Sequence, residues 1–186
     1  WRLQELLEGL FRQGQLPELI VVGVGNTSRR MEEYIPEEDG GQASRYARFL
    51  REELKPWVDA ILRTQPEPEH TAIVGSSLGG LVSLYLGWEH PETFGRVGCL
   101  SGSFWLGGWT RARLDDPLSA PQRRLRVWLD SGNRGPNADS LEETFGVRDQ
   151  LLGQGWTLEQ DLGHQVDLGA VHNELAWRGR LAEVLT

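Results

Sequence analysis

Residues 71–80 read Thr-Ala-Ile-Val-Gly-Ser-Ser-Leu-Gly-Gly: a short, β-branched apolar run that passes without a spacer into Gly-x-Ser-x-Gly and then into helix-forming sequence. A chain that turns from strand to helix within so few residues must hold the serine on a sharp turn, where side chains two positions to either side would collide. Gly75 and Gly79 are expected to remove those side chains. The register separates two adjacent serines. Centring the pattern on Ser76 would put Val74 and Leu78 where glycines are needed, so Ser77 is the candidate nucleophile.

With 23 Gly and 10 Ser in 186 residues, this pentapeptide arises by chance about 0.15 times per chain, so the motif alone decides little. Its flanks decide. Ala72 to Val74 are apolar before the turn, and Leu81, Leu84 and Tyr85 recur at helical spacing after it. The rest of the chain alternates in the same way. After an amphipathic N-terminal helix with Leu3, Leu6, Leu7, Leu10 and Phe11 on one face, residues 19–25 form a continuous apolar run expected to be a buried parallel strand. Residues 26–41 read as a long polar loop, and residues 43–63 as a helix that Pro56 kinks or restarts. Further strands are expected at residues 96–100, 124–130 and 157–161, with helices at about 140–152 and 173–185. Strands alternating with helices make this an α/β fold, in one domain over residues 1–186.

Composition narrows the partners. A net charge of −8 argues against nucleic acid and anionic membranes, and no apolar run is long enough to span a bilayer, so a small neutral or cationic molecule is the better substrate. The single cysteine, Cys99, excludes an internal disulfide and reads as a core thiol; its isolation fits a cytoplasmic protein. The chain opens on Trp1 already within helical pattern, with neither initiator Met nor signal peptide, and reads as the later part of a longer protein.

A serine hydroxyl is a poor nucleophile near neutral pH and needs an imidazole to take its proton and a carboxylate to orient that imidazole. His70, before the elbow strand, reads as a surface-loop residue, and His90, at the C-terminal end of the elbow helix, cannot curl back to its start. His172, in a glycine-containing loop after the last strand and before the last helix, stands where the base belongs. His164, Asp167 and His172 could be gathered as cation ligands, but their spacing matches no zinc pattern. Two acids are open on residue grounds: Asp130, at a strand end before a Gly-rich turn, and Asp139, just before a helix.

Together these stretches resemble the putative-esterase family of α/β hydrolases, which includes enterochelin-esterase-like enzymes, feruloyl esterases and S-formylglutathione hydrolase. The likeness runs through Ile20-Val-Val-Gly-Val-Gly-Asn26, Glu33-Tyr-Ile-Pro36, Gly75-Ser-Ser-Leu-Gly-Gly80, His90-Pro-Glu-Thr-Phe-Gly95, Ser101-Gly-Ser-Phe-Trp105, Leu129-Asp-Ser-Gly132 and His172-Asn-Glu-Leu-Ala-Trp177. The resemblance implies an α/β-hydrolase fold with a mostly parallel sheet flanked by helices. It also implies a Ser-Asp-His esterase: Ser77 as nucleophile, His172 as base, Asp139 favoured as acid, the Leu78 N–H as an oxyanion donor, and Phe104, Trp105 and Trp109 lining the substrate site. No metal or organic cofactor is implied. The same scaffold also serves acyltransferases and thioesterases, and a chain that no longer catalyses could act as a binding module. In the strand order the resemblance implies, residues 19–25 and the elbow strand are not neighbours. The strand between them is not in this chain, so self-association, or pairing with a missing N-terminal segment, is expected at that edge.

Overall fold

A strand that is buried on one or both faces and followed at once by a helix has to sit beside another strand of the same direction, and the sheet here is built from that unit repeated. The computed structural model describes residues 1–121 and 125–186. Four strands form among the described residues: β1 (Ala72–Ser76), β2 (Arg96–Leu100), β3 (Arg126–Gly132) and β4 (Leu162–Asp167). They lie side by side in chain order and every pairing is parallel. Their C-terminal ends therefore all open on one edge of the sheet, where ligands of open α/β sheets bind.

Eight α-helices accompany the sheet among the described residues: α1 (Leu3–Arg12), α2 (Arg30–Tyr34), α3 (Ala43–Arg48), α4 (Lys55–Ile61), α5 (Leu78–Glu89), α6 (Gly108–Leu114), α7 (Leu141–Gly153) and α8 (Glu174–Leu185). The helix α5 is the central one. Ten of its twelve residues, from Leu78 to Trp88, are buried, because its sequence is apolar on every side. Trp88 stacks on Trp156 at 5.6 Å, and Trp109 meets Tyr85 edge-on at the same separation, which ties α5 to the layer formed by α6 and α7. Between α3 and α4 the chain continues without a break as a π-helix, Phe49–Leu54. Pro56 lies in the first turn of α4, lacks an N–H and crowds the preceding carbonyls; the wider π turn relieves that crowding.

Three expectations change. The strand expected at residues 157–161 is a turn, in which the Thr157 N–H donates to Asp161 at 2.6 Å and Glu159 adopts φ +65; the strand follows it as β4. Being at the sheet edge, β4 is half-exposed and carries Gly163, His164 and Gln165, so it lacks the apolar run that marks a central strand. The loop at 26–41 contains α2, and Asp39 from it caps α6 through the N–H groups of Gly108 and Trp109 at 2.7 and 2.9 Å. Residues 19–25 form no strand. Ile20, Val21 and Val22 are 42–46% exposed, since an apolar run becomes a strand only where another strand can take up its backbone groups. The sheet ends instead at β1. Val22, Gly23, Val24 and Gly25 face Tyr46, Phe49 and Leu54 across an open cavity of about 410 Å³ that none of the expected site residues lines. The strand expected from Arg124 is present as β3 from Arg126; Arg124 itself lies outside the described residues.

Candidate active site

The turn between β1 and α5 places Ser77 in a backbone conformation that L-residues rarely adopt, φ +57 and ψ −126. Such a residue costs about 1–3 kcal/mol and persists only where its surroundings fix it. Here the Ser77 N–H donates to Leu100 O at 3.0 Å and Ser77 O accepts from Ser103 N at 3.0 Å. The two motif glycines differ. A Cβ on Gly75 would lie 2.4 Å from the Gly79 carbonyl oxygen, whereas one on Gly79 would meet nothing within 4 Å. Only Gly75 is required by the turn itself. Leu78 opens α5, so its N–H is one of the helix donors that have no intrahelical acceptor and is free to hold a negative oxygen beside Ser77.

At the C-terminal end of β3 the chain enters Pro136–Ser140, where Asn137, Ala138, Asp139 and Ser140 all have φ between +45 and +59. This left-handed turn folds Asp139 back over the strand it has just left. The Asp139 carboxylate is 1% exposed and takes three partners: Oδ1 lies 2.6 Å from His172 Nδ1, while Oδ2 accepts from Ser101 Oγ at 2.6 Å and from the Gly132 N–H. Gly132 has to be glycine, because a Cβ there would lie 2.2 Å from Ala170 O and 2.9 Å from Asp139 Oδ2. Burial pushes the Asp139 carboxyl up, but the hydrogen bonds from His172, Ser101 and Gly132 outweigh it and hold the group below the ordinary carboxylate value. Asp139 is therefore not a helix cap; its carboxylate faces the imidazole of His172.

His172 reaches Asp139 from the loop before α8, with Trp177 edge-on to its ring at 4.9 Å. Asn173 caps α8 by accepting the Ala176 N–H at 3.0 Å, which fixes where the helix begins and so where His172 stands. With Nδ1 on Asp139, the nitrogen left for a substrate proton is Nε2. Among the described residues the Ser77 hydroxyl bonds Ser103 Oγ at 3.3 Å and not His172.

Asp130 goes elsewhere. It is fully buried at the end of β3, 3.0 Å from Arg180 Nε, and accepts from Trp128 Nε1 at 3.1 Å and Ser101 N at 3.2 Å. Burial raises its carboxyl to about 6, with Arg180 and the hydrogen bonds offsetting part of that rise. His164, Asp167 and His172 do not converge on a cation site. His164 lies against Phe145 at 5.3 Å, and Asp167 approaches Arg180 Nη1 at 3.7 Å. Of the expected wall residues, Trp105 is 57% exposed and Phe104 is buried over Gly102, while Trp109 is fully enclosed and donates its Nε1–H to Glu89 at 2.9 Å, so it belongs to the core. Sequence reasoning passed over Ser101, Trp177 and Arg180. The signal was the i, i+3 spacing of Trp177 and Arg180, which puts both on the face of α8 that meets the sheet.

An all-parallel sheet with a strained serine between strand and buried helix, and an Asp-His pair delivered by later loops, defines the α/β-hydrolase class. Comparison with known sequences agrees: the family model described as "Putative esterase" matches residues 1–186, and the chain belongs to that family. It is 30% identical over 185 residues to the uncharacterized protein YbbA of Bacillus subtilis, covering 91% of this chain and 72% of that one. It is 41% identical over 149 residues to the iron(III) enterobactin esterase of Dickeya dadantii, covering 72% of this chain and 33% of that protein. The crystal structure of the ferric enterobactin esterase from Salmonella typhimurium superposes with a TM-score of 0.74 at 31% identity, over 96% of this chain and 44% of that one. The chain thus spans a third to a half of the length of these enterobactin esterases. The relatives in this comparison that carry a functional name are esterases. No helix among the described residues is long and apolar enough to cross a membrane.

Proposed function

We propose that the chain hydrolyses carboxylic esters through an acyl-enzyme formed on Ser77, with His172 as general base and Asp139 as the acid that orients it. The observation that carries this reading is the 2.6 Å contact between Asp139 Oδ1 and His172 Nδ1, at the same sheet edge as a serine held on a strained turn. With Nδ1 donating to Asp139, Nε2 carries the lone pair that accepts a proton. Ser77 Oγ leaves Ser103, gives its proton to His172 Nε2 and bonds to the ester carbonyl carbon. The resulting oxyanion lies against the Leu78 N–H. The ester C–O bond then breaks, and the departing alcohol oxygen takes the proton from Nε2. Water repeats the sequence: it loses a proton to His172, attacks the acyl carbon, and the carboxylic acid leaves as Ser77 regains its proton.

The relatives named iron(III) enterobactin esterases make that ester the first substrate to assay on this chain. The test is labelling with a fluorophosphonate, which bonds only to an activated serine. Labelling of the wild-type chain that disappears in Ser77→Ala supports the mechanism. An unlabelled wild-type chain would leave the site as a binding module, and labelling lost in Ser76→Ala instead would move the elbow register.

A further inference from the structure

Behind the Asp139–His172 pair lies a closed group of polar side chains that the ester mechanism does not use directly. Ser101 directly follows β2 with φ +47, and its N–H donates to Asp130 O at 2.9 Å. Its hydroxyl touches three groups: Asp139 Oδ2 at 2.6 Å, Arg180 Nη2 at 2.7 Å and Trp177 Nε1 at 3.0 Å. Arginine and tryptophan nitrogens donate only, whereas a hydroxyl has one proton and two lone pairs. Arg180 and Trp177 fill both lone pairs. The Ser101 proton has one direction left, and it points to Asp139.

Arg180 is 2% exposed and is kept in place by Asp130, 3.0 Å from its Nε. Its other nitrogens stand 3.7 Å from Asp139 Oδ2 and from Asp167 Oδ2, too far for a strong bond to either. We propose that Arg180 is a positioning residue that acts through Ser101: by saturating the serine oxygen it makes Ser101 a fixed donor to Asp139 Oδ2, which reserves Oδ1 for His172 and keeps the imidazole proton on Nδ1. Asp130 is then the counter-charge that allows an arginine to be buried there, not a rival acid. The arrangement also gives α8 a role just after His172: the loop before the helix carries the base, and its first two turns carry the two donors that orient the acid.

This inference rests on the serine-esterase reading above. The experiment measures hydrolysis of p-nitrophenyl butyrate by the full-length protein, with kcat expressed per serine titrated by fluorophosphonate so that unfolded material does not count. Three forms are compared: Ser101→Ala; the charge-neutral pair Asp130→Asn with Arg180→Met; and all three changes together. A hydrogen bond to a charged group corresponds to about ten- to a hundredfold in rate, so Ser101→Ala should lower kcat by that factor with KM within about twofold. If Arg180 works through Ser101, the triple variant is no slower than Ser101→Ala, because the intermediary is already gone. Unchanged per-site kcat in Ser101→Ala, or losses that multiply in the triple variant, would overturn the proposal. Should Ser101→Ala yield no titratable serine, the Asp130→Asn/Arg180→Met pair decides by the same drop in kcat at constant KM. Turnover surviving Ser77→Ala would sink the esterase mechanism itself, an outcome separate from all of these.

Discussion

Replacing Asp139 by asparagine removes one negative charge and replaces one of two acceptor oxygens with a donor, and the surroundings dictate which way the new amide turns. Two N–H or O–H donors, Gly132 N and Ser101 Oγ, converge on Oδ2, while one imidazole nitrogen faces Oδ1 at 2.6 Å. The amide oxygen will therefore take the Oδ2 place, since the reverse would point an NH₂ at two donors and leave each buried group unpaired. The amide NH₂ then faces His172 Nδ1, which can bond to it only as an acceptor. The imidazole proton moves to Nε2, the nitrogen that has to take the Ser77 proton, and the base is disabled without any change of shape. A histidine held in the wrong tautomer costs about 10⁴ in kcat, or about 5 kcal/mol of barrier. Asp130→Asn touches Arg180, Trp128 and the Ser101 backbone but not the imidazole, so its loss should stay within about tenfold. The assay is steady-state hydrolysis of p-nitrophenyl butyrate by both variants, with the histidine tautomer read from ¹⁵N shifts. Asp139→Asn within tenfold of wild type, or Asp130→Asn the worse of the two, would refute the reasoning and move the acid.

The glycines of the elbow should separate in stability: Gly75→Ala forces a Cβ into the Gly79 carbonyl and should cost about 3 kcal/mol or more, while Gly79→Ala has open space in a helix and should be neutral or gain up to about 1 kcal/mol. Urea titration of both variants checks this, and equal losses would contradict the turn geometry. Asp130, raised to about 6 when folded against about 3.9 unfolded, keeps a proton in the folded chain that the unfolded chain has lost between those values. Its contribution to stability is thus greatest below about pH 4 and falls by about 2–3 kcal/mol as pH rises through 6; urea midpoints at pH 4 and 7 should show that fall removed in Asp130→Asn, and an identical pH dependence in both proteins would count against it. A polypeptide of these 186 residues, with β1 at the sheet edge and Ile20, Val21 and Val22 exposed beside the cavity, should self-associate at high concentration; a monomer by light scattering throughout would show that this edge is protected.

What could be read along the chain concerned groups close in sequence. The elbow is legible because strand, turn and helix are contiguous, and because the steric demand at Gly75 arises four residues away, at Gly79. The helix that follows Ser77 and the position of His172 before the last helix are legible for the same reason. The two candidate acids could not be separated that way: Asp130 and Asp139 are nine positions apart in one connection, and what divides them is a left-handed turn at 137–140 and an arginine fifty residues further on. Residues 19–25 have the composition of a strand, yet among the described residues no strand pairs with them, and strand formation is a property of a pair. Trp109 looked like a pocket wall from its place near Ser101-Gly-Ser-Phe-Trp105, and became core because α6 turns it onto Tyr85 and Trp88. Local sequence determined the nucleophile turn and the helix that begins at it, since a few adjacent dihedral angles and Cβ atoms settle both. Which carboxylate meets the imidazole, and what holds that carboxylate still, depended on the turn that carries Asp139 and the helix that carries Trp177 and Arg180 being brought within 3.0 Å of Ser101 Oγ, a meeting that only the folded sheet creates.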